Sequence, residues 1–197
     1  MKKIFFILFF FISTFLFAKG LLLFNISVHI EPFGKTYQGF GQEGNRSYRN
    51  ERLFNLHYKD LVVLASILNK YNGKMVVQSQ SPFTEIIIQK NLSLFKDLEN
   101  QGHEIALHFH EDAHLGKNSE KLPVENWIKA MKEEIELIKK TGIKNNVLYW
   151  SGGNLYTNLL QAANKAGLKI YGEWKNPKTQ EISDELTALN PWRPSGG

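Results

Sequence analysis

Apolar and polar residues alternate with a period of two from Phe24 to Glu31. Phe24, Ile26, Val28 and Ile30 fall on one face, and Asn25, Ser27, His29 and Glu31 on the other, which is the pattern of a strand with one apolar side. The same period returns after Gly102-His103: Glu104, Ala106, His108 and His110 share one side, Ile105, Leu107 and Phe109 the other. Between these two segments the spacing becomes helical. Leu53, Leu56, Leu61, Leu64, Ile67 and Leu68 predict a helix from Leu53 to Tyr71 that ends at Asn72-Gly73, glycine being the usual helix terminator. A short strand is predicted over Met75–Gln78 and a helix over Thr84–Leu98, stopped by Asn100-Gln101-Gly102.

Beyond Pro123 an amphipathic helix runs to about Lys140. A strand follows at Val147–Trp150, then a helix at Leu155–Ala166 and a strand at Leu168–Trp174. Regular alternation of strand and helix predicts an α/β fold built on a parallel sheet with helical crossovers. Both polar strand faces become more ionisable toward their carboxyl ends, where α/β barrels and open sheets place their chemistry. A half-exposed antiparallel strand would show the same alternation. The order of elements separates the two cases.

The amino terminus changes the picture of domain organisation. Lys2 and Lys3 precede an apolar run from Ile4 to Phe17, with Ala18-Lys19-Gly20 behind it, the layout of a secretory signal peptide. The run is shorter than the roughly 20 apolar residues of a membrane span. The expectation is a signal peptide over residues 1–18 and one globular domain over 19–197, exported to the periplasm, cell envelope or medium. An uncleaved membrane anchor reaching Phe24 is the alternative, because Leu16 stands where the cleavage site prefers a small residue.

There is no cysteine, so disulfides and thiol chemistry are excluded and any metal must be held by nitrogen and oxygen. The formal charge of +5 drops by two when Lys2 and Lys3 leave with the leader, and no long basic run exists, so nucleic acid is not an expected partner. On the helix after Pro123, Lys132, Lys139 and Lys140 lie beside Glu133, Glu134 and Glu136 and read as a solvated, salt-bridged face.

Four of the six histidines fall between His103 and His114. His108 and His110, at i and i+2 near a strand's end, aim their rings at the same space, and neutral imidazole is the commonest metal ligand. A histidine-rich surface loop is the plainer reading of such a cluster. The matching polar face that ends in His29 and Glu31 favours a site.

Gly102-His103-Glu104-Ile105 followed by clustered histidines resembles the second motif of the polysaccharide deacetylase family, carbohydrate esterases that share a domain with chitooligosaccharide deacetylases. The resemblance runs in motif order from about Leu22 to Trp174. Val147-Leu148-Tyr149-Trp150-Ser151-Gly152-Gly153 sits where the family's third, arginine-proline motif would be, and Gly172-Glu173-Trp174 occupies the place of the fourth. Departures accompany these matches. His29-Ile30-Glu31-Pro32 stands where the family usually has two adjacent aspartates, and the third-motif arginine is absent. His110 and His114 keep the four-residue spacing of the family's ligand histidines, while His108 keeps the first histidine's distance from Gly-His-Glu-Ile. No histidine follows His114 to match the family's late leucine-histidine motif.

The resemblance implies an irregular (β/α) barrel of the glycoside hydrolase/deacetylase type and metal-assisted removal of acetyl groups from a polysaccharide. It implies a divalent metal, zinc first, on His108, His110 and His114. Glu31 becomes the base or a further ligand, and His29 the acid. Arg193 is a candidate to replace the missing arginine and hold the base ionised. Trp150 and Trp174 are candidate platforms for sugar rings, although aromatic residues of strands more often pack in cores. His103 is read as structural, His57 as unrelated to the site, and Gly152-Gly153 as either a close backbone approach or a plain tight turn.

The family's barrel has seven strands, and about five are legible here. The barrel is therefore expected to be incomplete, with its open edge covered by segments after Ile182 or by an association, or the chain is truncated. Two other functions stay open at this stage. One is a glycoside hydrolase using Glu31 and Glu173 as its carboxylate pair; the other is a non-catalytic carbohydrate-binding protein.

Overall fold

The computed structural model describes residues 26–30, 48, 50–153 and 156–172. The expected signal peptide over residues 1–18, Glu31, Glu173, Trp174, Arg193 and the segments after Ile182 lie outside the described residues. Five strands, β1 (Ile26–His29), β2 (Met75–Ser79), β3 (Glu104–His108), β4 (Tyr149–Ser151) and β5 (Ile170–Tyr171), form one sheet in the order of the chain. Every neighbouring pair is parallel, with Ile26 opposite Met75, Val76 opposite Glu104, Leu107 opposite Trp150 and Tyr149 opposite Ile170. The helices are α1 (Glu51–Lys70), α2 (Phe83–Gln89), α3 (Leu94–Asn100), α4 (Glu111–His114), α5 (Val124–Lys140) and α6 (Thr157–Ala166).

The sheet curls strongly. In a flat sheet, with strands about 4.8 Å apart, β1 and β4 would stand roughly 14 Å from each other. Instead the Ser27 hydroxyl lies 3.3 Å from the Tyr149 hydroxyl, and the His29 and His108 rings, two strands apart, have centroids separated by 4.5 Å. The result is the open part-barrel that the sequence predicts, with five strands among the described residues.

Alternation sorts the side chains as expected. Ile30, Met75, Val77, Ile105, Leu107, Phe109, Trp150 and Tyr171 belong to the large core shared with the helices, while Val76, Ala106 and Tyr149 form a small cluster on the concave face. Aromatic packing anchors the outer core. The Phe83 ring lies 4.9 Å from Phe54 and 6.2 Å from Phe95, all three being buried, and each such burial is worth about 1.5–3 kcal/mol.

Several element boundaries differ from the sequence reading, β4 and α6 each starting two residues later than expected, and two further differences have a visible local cause. Helix α1 starts two residues early because the Asn50 side chain caps it, accepting from the Arg52 and Leu53 N–H groups at 3.0 and 3.4 Å, as N-cap asparagines do. The single helix expected over Thr84–Leu98 is two, α2 and α3. Asn91 adopts φ 51°, and the Leu92 N–H returns to the Ile87 carbonyl at 2.9 Å, a left-handed stop that asparagine tolerates.

Two glycines show where backbone freedom is required. Gly152 (φ +90°) follows β4, and a Cβ there would overlap the Phe109 carbonyl. Gly167 (φ +99°) ends α6 in open space. Gly167→Ala is expected to cost about 1–2 kcal/mol for the left-handed backbone alone, and Gly152→Ala a further 1–3 kcal/mol, roughly, for overpacking. Equal losses in urea-denaturation midpoint for the two variants would show that the Phe109 contact is not tight.

Candidate functional site

The inner face of the curl turns polar where the strands end. His29 closes β1, Gln78 lies opposite it on β2, His108 closes β3 and Ser151 closes β4 opposite His108. Pairing continues one residue beyond β3, the Phe109 N–H donating to the Ser151 carbonyl at 2.9 Å. The backbone is still extended at His110 (φ −109°, ψ 116°), immediately before α4. Alternation therefore carries past the strand end and returns His110 to the same side as His108.

The two rings converge. His108 Nε2 and His110 Nε2 are 2.9 Å apart, with the rings edge to face at 4.6 Å. His108 is 1% exposed, whereas His110 and His29 are half-buried, so the pair sits at the boundary between the interior and the mouth. On its other side His108 Nδ1 is 2.8 Å from Ser151 Oγ, which also contacts Gln78 Oε1 and lies 3.4 Å from His29 Nε2. Sequence reasoning missed Ser151 and Gln78. Their signal was present in the alternation, which sets Gln78 inward with Val76 and Ser151 inward with Tyr149.

His114 does not join the pair. Its ring stacks on Phe109 at 4.8 Å, with Nε2 3.1 Å from Gln80 Oε1 and Nδ1 3.4 Å from Glu134 Oε1. The cause is α4, which begins directly after His110 and carries His114 back toward the helical layer and α5. Four-residue spacing from His110 is thus satisfied by one helical turn that leads away from the side His108 and His110 face. Among the described residues no three histidine or acidic side chains come together to hold a metal. The donor chemistry of His108 and His110 still fits a borderline divalent cation such as zinc, with further ligands to come from elsewhere.

Trp150 is also displaced from its expected role. It is 3% exposed and packs edge-on against Tyr171 at 4.6 Å in the outer core, so it presents no face to a sugar. Alternation explains this: Tyr149 and Ser151 point inward, and Trp150 between them points out. Gly152-Gly153 is a close approach, Gly152 lying against Phe109 and Gly153 placed so that a Cβ would come within 2.9 Å of Glu111 Oε2.

His103 is structural, as the sequence suggests. Its buried Nδ1 accepts the Met75 N–H at 3.2 Å, and burial, then Lys74, pushes its pKa down. His57 lies in α1 with Nδ1 2.6 Å from the Tyr48 hydroxyl, and burial lowers its pKa too, against the pull of Asp60.

A family model, polysaccharide deacetylase, matches residues 62–171, from within α1 to the end of β5. The chain belongs to the polysaccharide deacetylase family. The matched span includes His108, His110 and Ser151 and leaves His29 and Glu31 before its start. Comparison with curated proteins finds no match. Among solved structures, a family 4 carbohydrate esterase from Streptomyces lividans in complex with acetate is similar over 57% of this chain and 54% of its own, at 17% identity and a TM-score of 0.44. The deacetylase-family chain thus spans about half the length of that structure.

Behind the mouth, Glu134 is a buried carboxylate that accepts from the Ser81 N–H at 2.8 Å and the Ser81 hydroxyl at 2.6 Å. Burial pushes its pKa up, against the two Ser81 hydrogen bonds, and the neighbouring Glu133 adds to the rise. A carboxyl group whose pKa is higher folded than unfolded favours folding most at low pH. Stability is lost as pH climbs from the ordinary glutamate value through the raised one. Glu134→Gln keeps an acceptor for Ser81 and is expected to remove that fall. Denaturant midpoints measured across the acidic-to-neutral range should diverge between wild type and variant, and parallel curves would place the proton uptake on another group.

Proposed function

We propose that this chain is a divalent-metal-dependent deacetylase, removing N-acetyl or O-acetyl groups from an extracellular or cell-envelope polysaccharide. The observation that carries the reading is the convergence of His108 and His110 Nε2 at the ends of parallel strands, with the His29 ring tilted against that of His108. Family membership supplies the reaction class. The leader-like residues 1–18 favour export, where such polymers are found.

His108 and His110 would hold the metal, with Glu31 as the carboxylate nearest in sequence to the His29 strand end. The chemistry such a cation would supply is polarisation of an acyl oxygen and a lowered pKa of water. His29 faces the space beside His108 and is placed to protonate the departing amine or alcohol, and Glu31 is the candidate to take the proton from water. The buried walls, Tyr149, Ala106 and Val76, keep bulk water from the rear of the site, which strengthens charge interactions at its mouth. His114 stays outside this chemistry.

The decisive measurement is metal content of the purified protein beside the His108→Ala/His110→Ala double variant, with acetate release from acetylated glucosamine oligomers assayed on both. The expected outcome is about one metal per chain in wild type and none in the variant. Acetate release should stop in the variant and in wild type stripped by a chelator, and return when zinc is restored to wild type alone. Release that survives complete metal removal would sink the mechanism. His114→Gln, by contrast, is expected to leave metal stoichiometry unchanged and to lower stability by about 1–3 kcal/mol through the loss of the buried ring's contacts to Glu134 and Phe109.

A further inference from the structure

Ser151 stands at the crossing of three polar groups on the concave face, and its one proton decides how all three are used. A hydroxyl offers one donor and two acceptor positions, and an amide oxygen only accepts. The Ser151 hydroxyl contacts Gln78 Oε1, an orientation that leaves the buried Gln78 Nε2 without a partner among the described residues, and in it the Ser151 proton points to Gln78. What remains toward His108 Nδ1, 2.8 Å away, is a lone pair. His108 must then carry its proton on Nδ1, and a neutral imidazole protonated there has a bare Nε2. That Nε2 is the atom facing His110 Nε2 at 2.9 Å.

We propose that Ser151, oriented by Gln78, is a positioning residue that fixes His108 as the Nδ1–H tautomer and so keeps its Nε2 lone pair directed at the His110 side of the mouth. Burial gives this device its force. Gln78 and Ser151 are fully buried and His108 is 1% exposed, so no bulk water can take over the exchange of partners, and an unmet polar group there costs about 1–3 kcal/mol. The third arm serves His29, whose Nε2 lies 3.4 Å from the same oxygen and meets its second lone pair as a donor. One serine hydroxyl thereby sets the proton positions of rings from two different strands.

The reverse relay is chemically possible and would have the opposite consequence. If the Gln78 amide turned to donate through Nε2, the Ser151 proton would pass to His108 Nδ1 and the imidazole proton would move to Nε2. A proton on Nε2 blocks coordination. The direction of the chain from Gln78 to His108 is therefore the difference between a ring that can bind a cation through Nε2 and one that cannot.

The functional sense of this inference rests on the metal-binding reading of His108 and His110, but the tautomer is read without metal. Long-range proton–nitrogen NMR of metal-free, ¹⁵N-histidine-labelled protein, above the imidazole titration range, distinguishes protonated from bare ring nitrogens directly. Wild type is expected to show His108 with a protonated Nδ1 and a bare Nε2. Ser151→Ala should lose that bias, Ser151→Thr should restore it, and Gln78→Met should shift His108 toward Nε2–H.

Zinc affinity by calorimetry should fall about 10–100-fold in Ser151→Ala, as it does when a partner of a ligating histidine is removed, and recover in Ser151→Thr. Urea midpoints on the same samples separate this effect from loss of fold. A wild-type His108 protonated on Nε2, or a tautomer and affinity unmoved in a folded Ser151→Ala, would overturn the proposal. Wild type with the stated tautomer but no zinc binding would leave the Ser151 device standing and remove the deacetylase reading.

Discussion

The contact between Ser27 and Tyr149 joins the first strand to the fourth across the concave face, and the polar mouth depends on the curl that permits it. Parallel strands in chain order need not close on one another. Here the helices cover one face, and the residues opposite them are either small, such as Ala106, or able to hydrogen-bond across the gap, such as Ser27 and Tyr149. The curl brings His29 over His108. Without it the imidazoles of β1 and β3 would stand two strand spacings apart, and no shared site would exist.

The mouth is also costly to build. Gln78, Ser151 and His108 are withdrawn from water where an apolar residue would have been cheaper, since a buried polar group stabilises nothing unless it is hydrogen-bonded. Their mutual contacts offset part of that cost, while the Gln78 Nε2 has no partner among the described residues. In the outer layer the choice is reversed, with Phe54, Phe83, Phe95 and Trp127 filling the space between sheet and helices. His114 and Glu134 are one exception there, a polar pair that ties the end of α4 to α5.

Much of this was legible from the chain. Period-two alternation in Ser27–Ile30 and Glu104–His110 predicted which residues face inward, and it predicted His29, His108 and His110 as neighbours. It was less informative wherever the period changed. His114 looked like a ligand because its spacing from His110 matches a known motif, but a helical turn begins at Glu111 and rotates it away. Trp150 was read for its chemistry when its place between inward Tyr149 and Ser151 already sent it outward. The break between α2 and α3 was hidden because Asn91 and Ser93 are acceptable inside a helical pattern. Ser151 and Gln78 were visible as inward polar residues, yet only the three-dimensional contact gives them a partner.

The corner at Gly152 has a consequence for how this protein can change over time. The volume a side chain would need there is filled by the Phe109 carbonyl, a backbone atom that no compensating side-chain substitution can shrink. Single-residue changes at 152 therefore meet a barrier that neighbouring substitutions do little to lower. Helix ends such as Gly167, which face open space, have more routes through sequence space. The β3–β4 junction beside the histidines is thereby held to a residue without a side chain.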